Sequence, residues 1–430
     1  MAINKVNFSA GGEDLSDIYI STEEAIERVD DGSISFTSLT TTGIAALAAR
    51  SLFSWGYGTN GQHGLNDTIN RSSPVQVGAL TDWKKINSQD VGCAFAVKRD
   101  GTLLAWGFNG GGNLGLNTTI NRSSPTQVGT GSDWKYLNYG PGQYSGRGVQ
   151  ASIKTDGTLW VWGSCDFGSL GLSTTTFRSS PTQVGSLTNW QQISSSSLFV
   201  QSPFGQPPNF IRRVNGASLA IKTDGSLWSW GGNDTLTIVS NPPDTVFAPS
   251  GRLGLNDRIF RSSPGQVGSL TNWAQVFTSA TWAGAIKTDG TLWTWGTNGV
   301  AGNLGLGDTI SRSSPVQVGS LTDWKQIDNG LAVKTDGTLW GWGTAAGGIL
   351  GLNNTIPRSS PTQVGALTDW KWVRSSSAKG SFALKTDGTI WGWGSSGRDL
   401  GLNDTIFRSS PVQIGSLTGW REIKPGLALR

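Results

Sequence analysis

The chain has 430 residues, of which only 14% are charged, with a net charge of +4, 61 glycines, 21 tryptophans and one histidine. This length exceeds one ordinary hydrophobic core, so the chain contains either several domains or a repeat architecture. The lone histidine and the two cysteines, Cys93 and Cys165, match no ligand spacing, which argues against a metal site or a disulfide framework and predicts two buried thiols.

Residues 1–50 form an acidic extension. Three basic and eight acidic residues give it a net charge of −5, whereas the rest of the chain carries +9. It lacks the apolar core and cleavage site of a signal peptide, and no part of the chain has the ~20 apolar residues that cross a bilayer. A capping-box pattern at 21–24 predicts a helix through Val29, and a second helix is predicted over 43–50. We expect a protein made in the cytoplasm, without membrane insertion, that is anchored to a larger assembly by residues 1–50.

Residues 51–430 contain seven copies of one repeat. Each copy has a Trp-Gly pair, a Gly-Leu pair, the sequence Arg-Ser-Ser-Pro and a second tryptophan. Landmarks that recur in this way are the signature of a repeat architecture. The Trp-Gly pairs begin at Trp55, Trp106, Trp162, Trp230, Trp295, Trp342 and Trp393, the arginines are Arg71, Arg122, Arg178, Arg261, Arg312, Arg358 and Arg408, and the second tryptophans are Trp83, Trp134, Trp190, Trp273, Trp324, Trp370 and Trp420.

Six Asp-Gly pairs predict six β-hairpins with two-residue turns, as at Asp336. The seventh hairpin is divided between the chain ends, because residues 426–430 match 330–334 and residues 52–55 match 339–342. Pairing of these segments leaves the ring without a free terminal edge. The sequence therefore predicts an all-β, seven-bladed β-propeller over residues 51–430, with one blade closed by both chain ends and a short N-terminal extension.

The repeated aromatic and basic residues are predicted to be structural. Nineteen of the 21 tryptophans occupy repeat positions, and Trp282 and Trp372 do not. Each large aromatic side chain buries ~150–250 Å², so the repeated tryptophans are expected in the core or between blades. The seven arginines are expected to tie blades together through backbone carbonyls.

Three insertions, 138–150, 194–215 and 233–252, interrupt the repeats. In up-and-down blades these loops emerge on one face of neighbouring blades. Aromatic and arginine side chains on loops are typical of binding surfaces, although insertions that fold onto their own propeller are an equally open alternative. The candidate partner-binding residues are Tyr139, Tyr144, Arg147, Phe199, Phe204, Phe210, Arg212, Arg213 and Phe247, together with Trp282 in the equivalent loop of the next blade.

The unit resembles the regulator of chromosome condensation repeat. That family strings together Leu-Gly-Leu, an arginine before Pro-x-x-Val, a glycine, an Ala-Leu strand and Trp-Gly. The resemblance covers residues 51–430 and implies a seven-bladed propeller. The residues that follow the pattern in one copy are Leu304, Gly305, Leu306, Arg312, Pro315, Val318, Gly330, Trp342 and Gly343.

Function is less closely specified by the resemblance. The family includes a chromatin-bound guanine nucleotide exchange factor, a bacterial propeller that inhibits β-lactamase, and many bacterial and phage proteins. Here the family's histidine beside the Ala-Leu strand is absent, as at Leu331 and Phe382, no inserted hairpin wedge is evident, and an acidic extension replaces the exchange factor's basic tail. The near-identical copies are similar to bacterial or phage members.

No catalytic, cofactor or metal site is predicted. His63 stands where other copies have Leu114 or Leu304, and a lone imidazole has no partner ligands. The Asn-Asp pairs that include Asp67 and Asp257 are better explained as Asx turns than as cation sites. Basic residues are distributed around the repeats without a concentrated patch, so nucleic-acid binding is not expected.

We therefore expect a non-enzymatic phage virion structural protein, either a capsid decoration or a tail-associated fibre or adhesin, located in the phage particle. Residues 1–50 would contact other virion proteins, and the inserted loops would meet a host surface protein or glycan. The alternative is a soluble protein-binding propeller that inhibits an enzyme or acts as a guanine nucleotide exchange factor.

Overall fold

A computed structural model describes most of the chain. The described residues are 9–10, 13–14, 49–88, 92–138, 148–198, 215–238, 245–249, 251–376, 380–394 and 397–430. In the N-terminal extension, the two-residue strands β1 (Ser9–Ala10) and β2 (Glu13–Asp14) pair antiparallel. The helix predicted over 21–29 lies outside the described residues. At the end of the second predicted helix, Arg50 instead forms a β-bridge with Asp82.

Seven four-stranded antiparallel sheets form the blades, which confirms the seven-bladed all-β propeller. We number the blades 1–7 and name the strands of each blade inner, second, third and outer. Blade 1 consists of β31 (Glu422–Lys424), β32 (Leu427–Leu429), β3 (Leu52–Gly56) and β4 (Arg71–Gln76), from inner to outer; blade 2 of β5 (Trp83–Ser88), β6 (Cys93–Lys98), β7 (Leu103–Gly107) and β8 (Arg122–Gln127); and blade 3 of β9 (Trp134–Leu137), β10 (Val149–Lys154), β11 (Leu159–Gly163) and β12 (Arg178–Gln183). Blade 4 consists of β13 (Trp190–Leu198), β14 (Asn215–Lys222), β15 (Leu227–Gly231) and β18 (Arg261–Gln266), and β16 (Asp234–Ile238) and β17 (Thr245–Pro249) form a separate pair. Blade 5 consists of β19 (Trp273–Thr278), β20 (Trp282–Lys287), β21 (Leu292–Gly296) and β22 (Arg312–Gln317); blade 6 of β23 (Trp324–Asp328), β24 (Leu331–Lys334), β25 (Leu339–Gly343) and β26 (Arg358–Gln363); and blade 7 of β27 (Trp370–Ser376), β28 (Gly380–Lys385), β29 (Ile390–Gly394) and β30 (Arg408–Gln413).

Both chain ends build blade 1, as the sequence predicted. β32 pairs antiparallel with β3, and Leu52 lies opposite Leu429 and Ser54 opposite Leu427. The second tryptophan of each repeat begins the inner strand of the following blade, as Trp83 does in blade 2. Because the sequence repeat is offset from the blade in this way, the last two strands of the chain complete the sheet that the first two begin.

The Asp-Gly hairpins have three-residue turns, and the prediction of two-residue turns was wrong. In blade 2, Lys98 N donates to Thr102 O at 2.9 Å and Gly101 N donates to Lys98 O at 3.0 Å. Gly101 has a φ of +81° and its preceding two residues do not have positive φ. Asp100 Oδ1 accepts a hydrogen bond from Thr102 N at 2.9 Å, so the aspartate shapes the turn and the glycine supplies its left-handed residue.

Seven clusters of buried apolar side chains hold the ring together, and each cluster is shared by two adjacent blades. Between blades 1 and 2, Trp106 donates its indole N–H to Gln62 O at 3.0 Å. The same indole covers Gly64, where an added Cβ would lie 2.9 Å from the ring nitrogen. The equivalent tryptophan bond recurs at all seven interfaces, which confirms the packing role of the Trp-Gly pair and explains the glycine of Gly-Leu.

Helical segments are short. Two 3-10 turns span Asp166–Gly168 and Ala346–Gly348, and the α-helix α1 spans Gly397–Leu400. In the part of the chain that the structure describes, no helix has the length and apolar character needed to cross a membrane.

Candidate functional site

The propeller has two faces that differ in their loops. The turn face carries the Asp-Gly turns and the linkers between blades, and Trp134 N at the end of one linker donates to Gly101 O of a turn at 3.1 Å. Because neighbouring strands are antiparallel, the loops that join inner to second strands and third to outer strands lie together on the opposite side, the loop face. The strands that flank the three predicted insertions end on the loop face.

The chain enters the propeller on the turn face. Arg50 N donates to Thr81 O at 2.7 Å, and Arg50 Nη1 donates to Lys84 O at 3.1 Å. Thr81 belongs to the linker between blades 1 and 2. The N-terminal extension and the insertions therefore join the propeller on opposite faces.

Backbone hydrogen bonds connect the loop face around the whole ring. Asn66, in the loop before the outer strand of blade 1, has a φ of +61° and donates its backbone N–H to Ser123 O of blade 2 at 2.7 Å. The seven bonds of this kind join Asn66 to Ser123, Asn117 to Ser179, Ser173 to Ser262, Asn256 to Ser313, Gly307 to Ser359, Asn353 to Ser409 and Asn403 to Ser72. The first serine of each Arg-Ser-Ser-Pro sequence is thus the group that ties blades together.

The arginines of Arg-Ser-Ser-Pro do not have the inter-blade role that the sequence predicted. Arg71 Nη2 lies 2.6 Å from Asp67 Oδ2 in its own loop, and Arg71 Nη1 donates to Ile69 O at 3.1 Å. The backbone N–H of Ile69 donates to Asp67 Oδ1 at 3.0 Å, which confirms the Asx turn and lowers the pKa of Asp67. A four-residue separation gives the same ion pair within the loop at Arg261, Arg312 and Arg408, which are paired with Asp257, Asp308 and Asp404.

The same loops expose apolar side chains. Six isoleucines, one in every blade except blade 3, are between 59% and 63% exposed, and blade 3 exposes Phe177. We call these seven residues the apolar rim: Ile69, Ile120, Phe177, Ile259, Ile310, Ile356 and Ile406. Repeated exposed apolar side chains beside polar loops are typical of protein-binding surfaces.

Most of the predicted partner-binding residues lie outside the described residues: Tyr139, Tyr144, Arg147, Phe199, Phe204, Phe210, Arg212 and Arg213. Phe247 lies on β17, which pairs with β16. Trp282 was predicted in a loop, and the structure corrects this. It begins β20, pairs with Gly296 and is 4% exposed, with its ring 5.4 Å from that of Phe277. The core of blades 5 and 6 holds Trp282 because the loop before β20 is short.

An inserted β-hairpin lies between the third and outer strands of blade 4 in the chain. β16 and β17 pair in register, with Asp234 opposite Pro249 and Ile238 opposite Thr245. The sequence predicted an insertion over 233–252 but no hairpin within it.

Lysines that precede the Asp-Gly turns lie between two indoles on the turn face. Lys154 Nζ is 4.9 Å from the Trp134 ring centroid, 4.3 Å from that of Trp160 and 3.2 Å from Asp133 Oδ2. Cation–π contact and the ion pair together compensate the ammonium for lost hydration. The lysines between two indoles are Lys154, Lys222, Lys287, Lys334 and Lys385.

Two of these lysines lack the carboxylate. In blades 4 and 5, Asn189 and Asn272 stand where blade 3 has Asp133. Burial lowers the pKa of Lys222 and of Lys287 because no nearby linker carboxylate offsets the loss of water. In blade 2, by contrast, the hydrogen bond that Lys98 donates to the Asp82 carboxylate raises the pKa of Lys98.

The central channel is lined by the inner strands of all seven blades and has a cavity volume of about 230 Å³. Inner strands are sheet edges, and side chains of the preceding blade satisfy part of their backbone. Gln326 Oε1 accepts from Val373 N at 2.8 Å and its Nε2 donates to Val373 O at 2.6 Å. Gln192, Gln275 and Glu422 accept equivalent hydrogen bonds from Val276, Ile327 and Ile86.

Three blades depart from this pattern. At the position of Gln326, blades 2, 3 and 7 have Lys85, Tyr136 and Trp372, and all three line the channel. Trp372 is 36% exposed, and the Arg374 guanidinium lies 5.5 Å from its ring centroid. The sequence marked Trp372 as outside the repeat pattern but did not place it in the channel. The sequence did contain a signal for this placement, since Trp372 is the third residue of an inner strand, where other repeats have glutamine.

Two ionisable side chains deeper in the channel, Asp328 and Arg374, contact each other. Asp328 Oδ2 lies 3.5 Å from Arg374 Nη1, and Asp328 Oδ1 accepts from Ser375 N at 3.1 Å. Burial raises the pKa of Asp328, and the Arg374 charge opposes that shift. His63 is buried with Nε2 3.1 Å from Gly56 O, and both cysteines are buried thiols. Among the described residues, no group of three or more His, Cys, Asp or Glu side chains could hold a metal ion.

Comparison with known proteins agrees with this architecture. The family model for the regulator of chromosome condensation (RCC1) repeat matches residues 51–94, 100–139, 156–200, 289–330 and 336–382, which is about half of the chain. The chain belongs to the RCC1 repeat family. Its fold is an RCC1-like propeller, a protein-binding fold.

Curated relatives are distant and longer. The chain is 26% identical over 284 residues to the ultraviolet-B receptor UVR8 of Arabidopsis thaliana, an alignment that covers 63% of this chain and 54% of that protein. It is 24% identical over 220 residues to the E3 ubiquitin-protein ligase HERC2 of Mus musculus, covering 50% of this chain and 4% of HERC2. The chain thus spans about half of UVR8 and a small part of HERC2.

Solved structures support the fold. Yeast RCC1 (Prp20), in a crystal structure bound to Kap60, has a TM-score of 0.68 at 16% identity, with 89% of this chain and 88% of that chain covered. Human WBSCR16 has the same TM-score and identity, with 89% and 98% covered. Prp20p from Saccharomyces cerevisiae, a protein described together with its binding properties to Gsp1p and histones, has a TM-score of 0.66 at 16% identity, with 92% and 90% covered.

Proposed function

We propose that this chain is a non-enzymatic binding protein that holds a protein partner on its loop face while residues 1–50 attach it to a larger assembly through the turn face. One observation carries this proposal: Arg50 is bonded to Thr81 on the turn face, opposite the apolar rim and the insertions. A partner bound on the loop face therefore does not compete with an attachment made near Arg50.

The loop face has suitable chemistry for a protein partner. Arg122, Arg178 and Arg358 lie beside exposed rim residues in loops that have Thr118, Thr174 and Asn354 at the position of Asp67. Without a loop carboxylate, these guanidinium groups are more available to an incoming acidic side chain than Arg71 is. The surface combines arginine and apolar anchors, which are enriched where proteins bind one another.

The setting we propose is the phage particle, with the protein made in the host cytoplasm and incorporated as a capsid decoration or as part of a tail fibre or adhesin. The near-identical repeats and the acidic extension support this setting. The partner on the loop face would be a host surface protein or glycan, and the partners of residues 1–50 would be other virion proteins.

Incorporation into particles tests the attachment. The full chain is co-expressed with the structural genes of its source genome, beside a chain lacking residues 2–48 and a full-length chain with E23Q, E24Q, E27Q and D30N. We expect the full chain in purified particles and both variants absent from them, although each retains the unfolding midpoint of the propeller. Retention of both variants would reject attachment through residues 1–50, and absence of the full chain itself would reject the virion setting.

A second candidate is a soluble inhibitor of an enzyme or an exchange factor for a GTPase. The inserted hairpin β16–β17 favours it, because its two strands form a separate sheet whose edges can pair with a strand of a partner. Stoichiometric capture of one enzyme or GTPase, abolished by alanine at Phe204, Phe210 and Arg213 but not at Ile69, Ile310 and Ile406, would favour this candidate over a virion protein.

A further inference from the structure

The central channel has an imbalance between hydrogen-bond acceptors and donors. Its side-chain acceptors are used by the protein itself: Gln275 Oε1 accepts from Ile327 N at 2.9 Å, Glu422 Oε2 accepts from Ile86 N at 3.3 Å and Asp328 accepts from Ser375 N. These acceptors are fixed because the inner-strand N–H groups would otherwise lack partners.

Three side-chain donors at the channel are not used in this way. Lys135 Nζ, Gln275 Nε2 and Trp372 Nε1 line or border the channel, and within the described residues they have no hydrogen-bond acceptor. They come from blades 3, 5 and 7, so they surround the channel. Among the described lining residues, the cations Lys85, Lys135 and Arg374 outnumber the carboxylates of Asp328 and Glu422. Together with the neutral donors, this balance favours a ligand rich in acceptor oxygens and carrying negative charge.

Aromatic side chains provide the remaining part of the cavity wall. Tyr136 and Trp372 lie in blades that have three blades between them in one direction round the ring and two in the other, so they line different sides of the channel. Both replace the glutamine that other blades use to bind the next blade. Aromatic faces pack against the flat, weakly polar faces of sugar or other rings.

Cavity volume limits the ligand. The cavity volume is about 230 Å³. It is smaller than the ~300–1,000 Å³ typical of pockets for drug-sized ligands. A molecule of about monosaccharide size therefore fits within the cavity.

We propose that the central channel binds a small organic oxyanion of about monosaccharide size, with Lys135 holding the anionic group, Gln275 donating to it or to a neighbouring hydroxyl, and Trp372 packing against the ring. The carboxylate and the phosphate share this oxyanion chemistry. This binding is independent of the partner on the loop face, so either proposal can fail without the other.

Titration of the full-length protein tests the proposal. The probes are glucuronate, glucose 6-phosphate and neutral glucose, each at up to about 10 mM, a range that detects binding near 1 mM. The Trp372 indole N–H signal in an NMR spectrum, assigned by its loss in W372Q, reports occupancy of the channel. We expect one or both anionic probes to shift it and glucose to leave it unchanged, and the better anion identifies carboxylate or phosphate.

Matched variants identify the binding group. K135Q is expected to lower the affinity for the better anionic probe at least about tenfold. K325Q is the control, because Lys325 occupies the equivalent inner-strand position in blade 6 but does not line the channel. W372Q inserts the residue that blade 6 uses to bind its neighbour, so it should fold and yet lose calorimetric binding of the same probe. Equal shifts with glucose, equal effects of K135Q and K325Q, or no shift with either anion would each overturn the proposal.

Discussion

The indole N–H of Trp55 donates a hydrogen bond to the backbone carbonyl of Asp399 across 3.0 Å, joining two residues 344 positions apart in the chain. The bond connects blade 1 to blade 7 and has the same form as the bond from Trp106 to Gln62 between blades 1 and 2. The interface that closes the ring is therefore built like the six interfaces between blades that are consecutive in the chain.

Substitution of Gly401 tests this interface. Gly401 has a φ of +77°, and an added Cβ would lie 2.9 Å from the Trp55 ring. G401A should lower the free energy of unfolding by about 2–4 kcal/mol, since it adds overpacking to the cost of a left-handed alanine. The measurement is the midpoint of urea unfolding.

The matched control is G415A. Gly415 has a φ of +65°, but no atom lies within 4 Å of its added Cβ, so only the backbone cost of about 1–2 kcal/mol applies. Equal losses in the two variants would mean that Trp55 does not cover Gly401.

Gln326 is predicted to stabilise the junction of blades 6 and 7. Its amide makes two hydrogen bonds with the backbone of Val373. Q326A should cost about 1–3 kcal/mol in thermal or urea unfolding, because it leaves buried backbone groups without partners. Q191A removes an exposed glutamine and should change stability by less than about 0.5 kcal/mol. A loss in Q326A no larger than in Q191A would contradict the assigned bonds.

An acidic residue opposite Lys222 is expected to stabilise blade 4. The pKa of Lys222 is lowered in the folded protein, so the unfolded chain binds more protons between that pKa and the ordinary value of 10.5. Stability should therefore rise with pH across that window. N189D supplies the carboxylate that Asp133 gives Lys154 in blade 3, and should add about 0.5 kcal/mol near pH 7 and reduce the rise.

Unfolding midpoints measured at neutral pH and near pH 10 check this prediction. D133N in blade 3 is the reverse experiment, and should lower stability at neutral pH and introduce a rise with pH. If N189D is less stable than the natural chain at neutral pH, Lys222 does not face the linker residue.

The main features of the fold could be predicted from sequence because each repeat carries markers with one structural meaning. Seven Trp-Gly pairs count the blades, Asp-Gly marks the hairpins, and the match between residues 426–430 and 330–334 predicts closure by both chain ends. The turn length was wrong because Asp-Gly suits both two-residue and three-residue turns, and only the bond from Lys98 N to Thr102 O distinguishes them.

Features of the candidate site were harder to predict, because they depend on the direction in which each side chain points in the folded chain. Arg71 was expected to bind a backbone carbonyl of another blade, but it forms an ion pair with Asp67, four residues earlier in its own loop. Trp282 was placed in a loop because no marker gives the length of the turn before β20. Trp372 enters the channel because the inner strand has an irregularity between its first and third residues, which a simple alternation does not predict.

Hydrogen exchange at the junction of the two chain ends tests the closed ring most directly. Ser51 N donates to Arg430 O at 2.8 Å, Arg430 N to Ser51 O at 3.0 Å and Trp55 N to Gly426 O at 3.1 Å, and the comparison within one continuous blade is Lys287 N to Thr291 O at 3.0 Å. The closed ring predicts that the amides of Ser51, Trp55 and Arg430 exchange as slowly as that of Lys287, because opening blade 1 breaks two blade interfaces. Rapid exchange of those three amides while Lys287 remains protected would show that the chain ends do not pair.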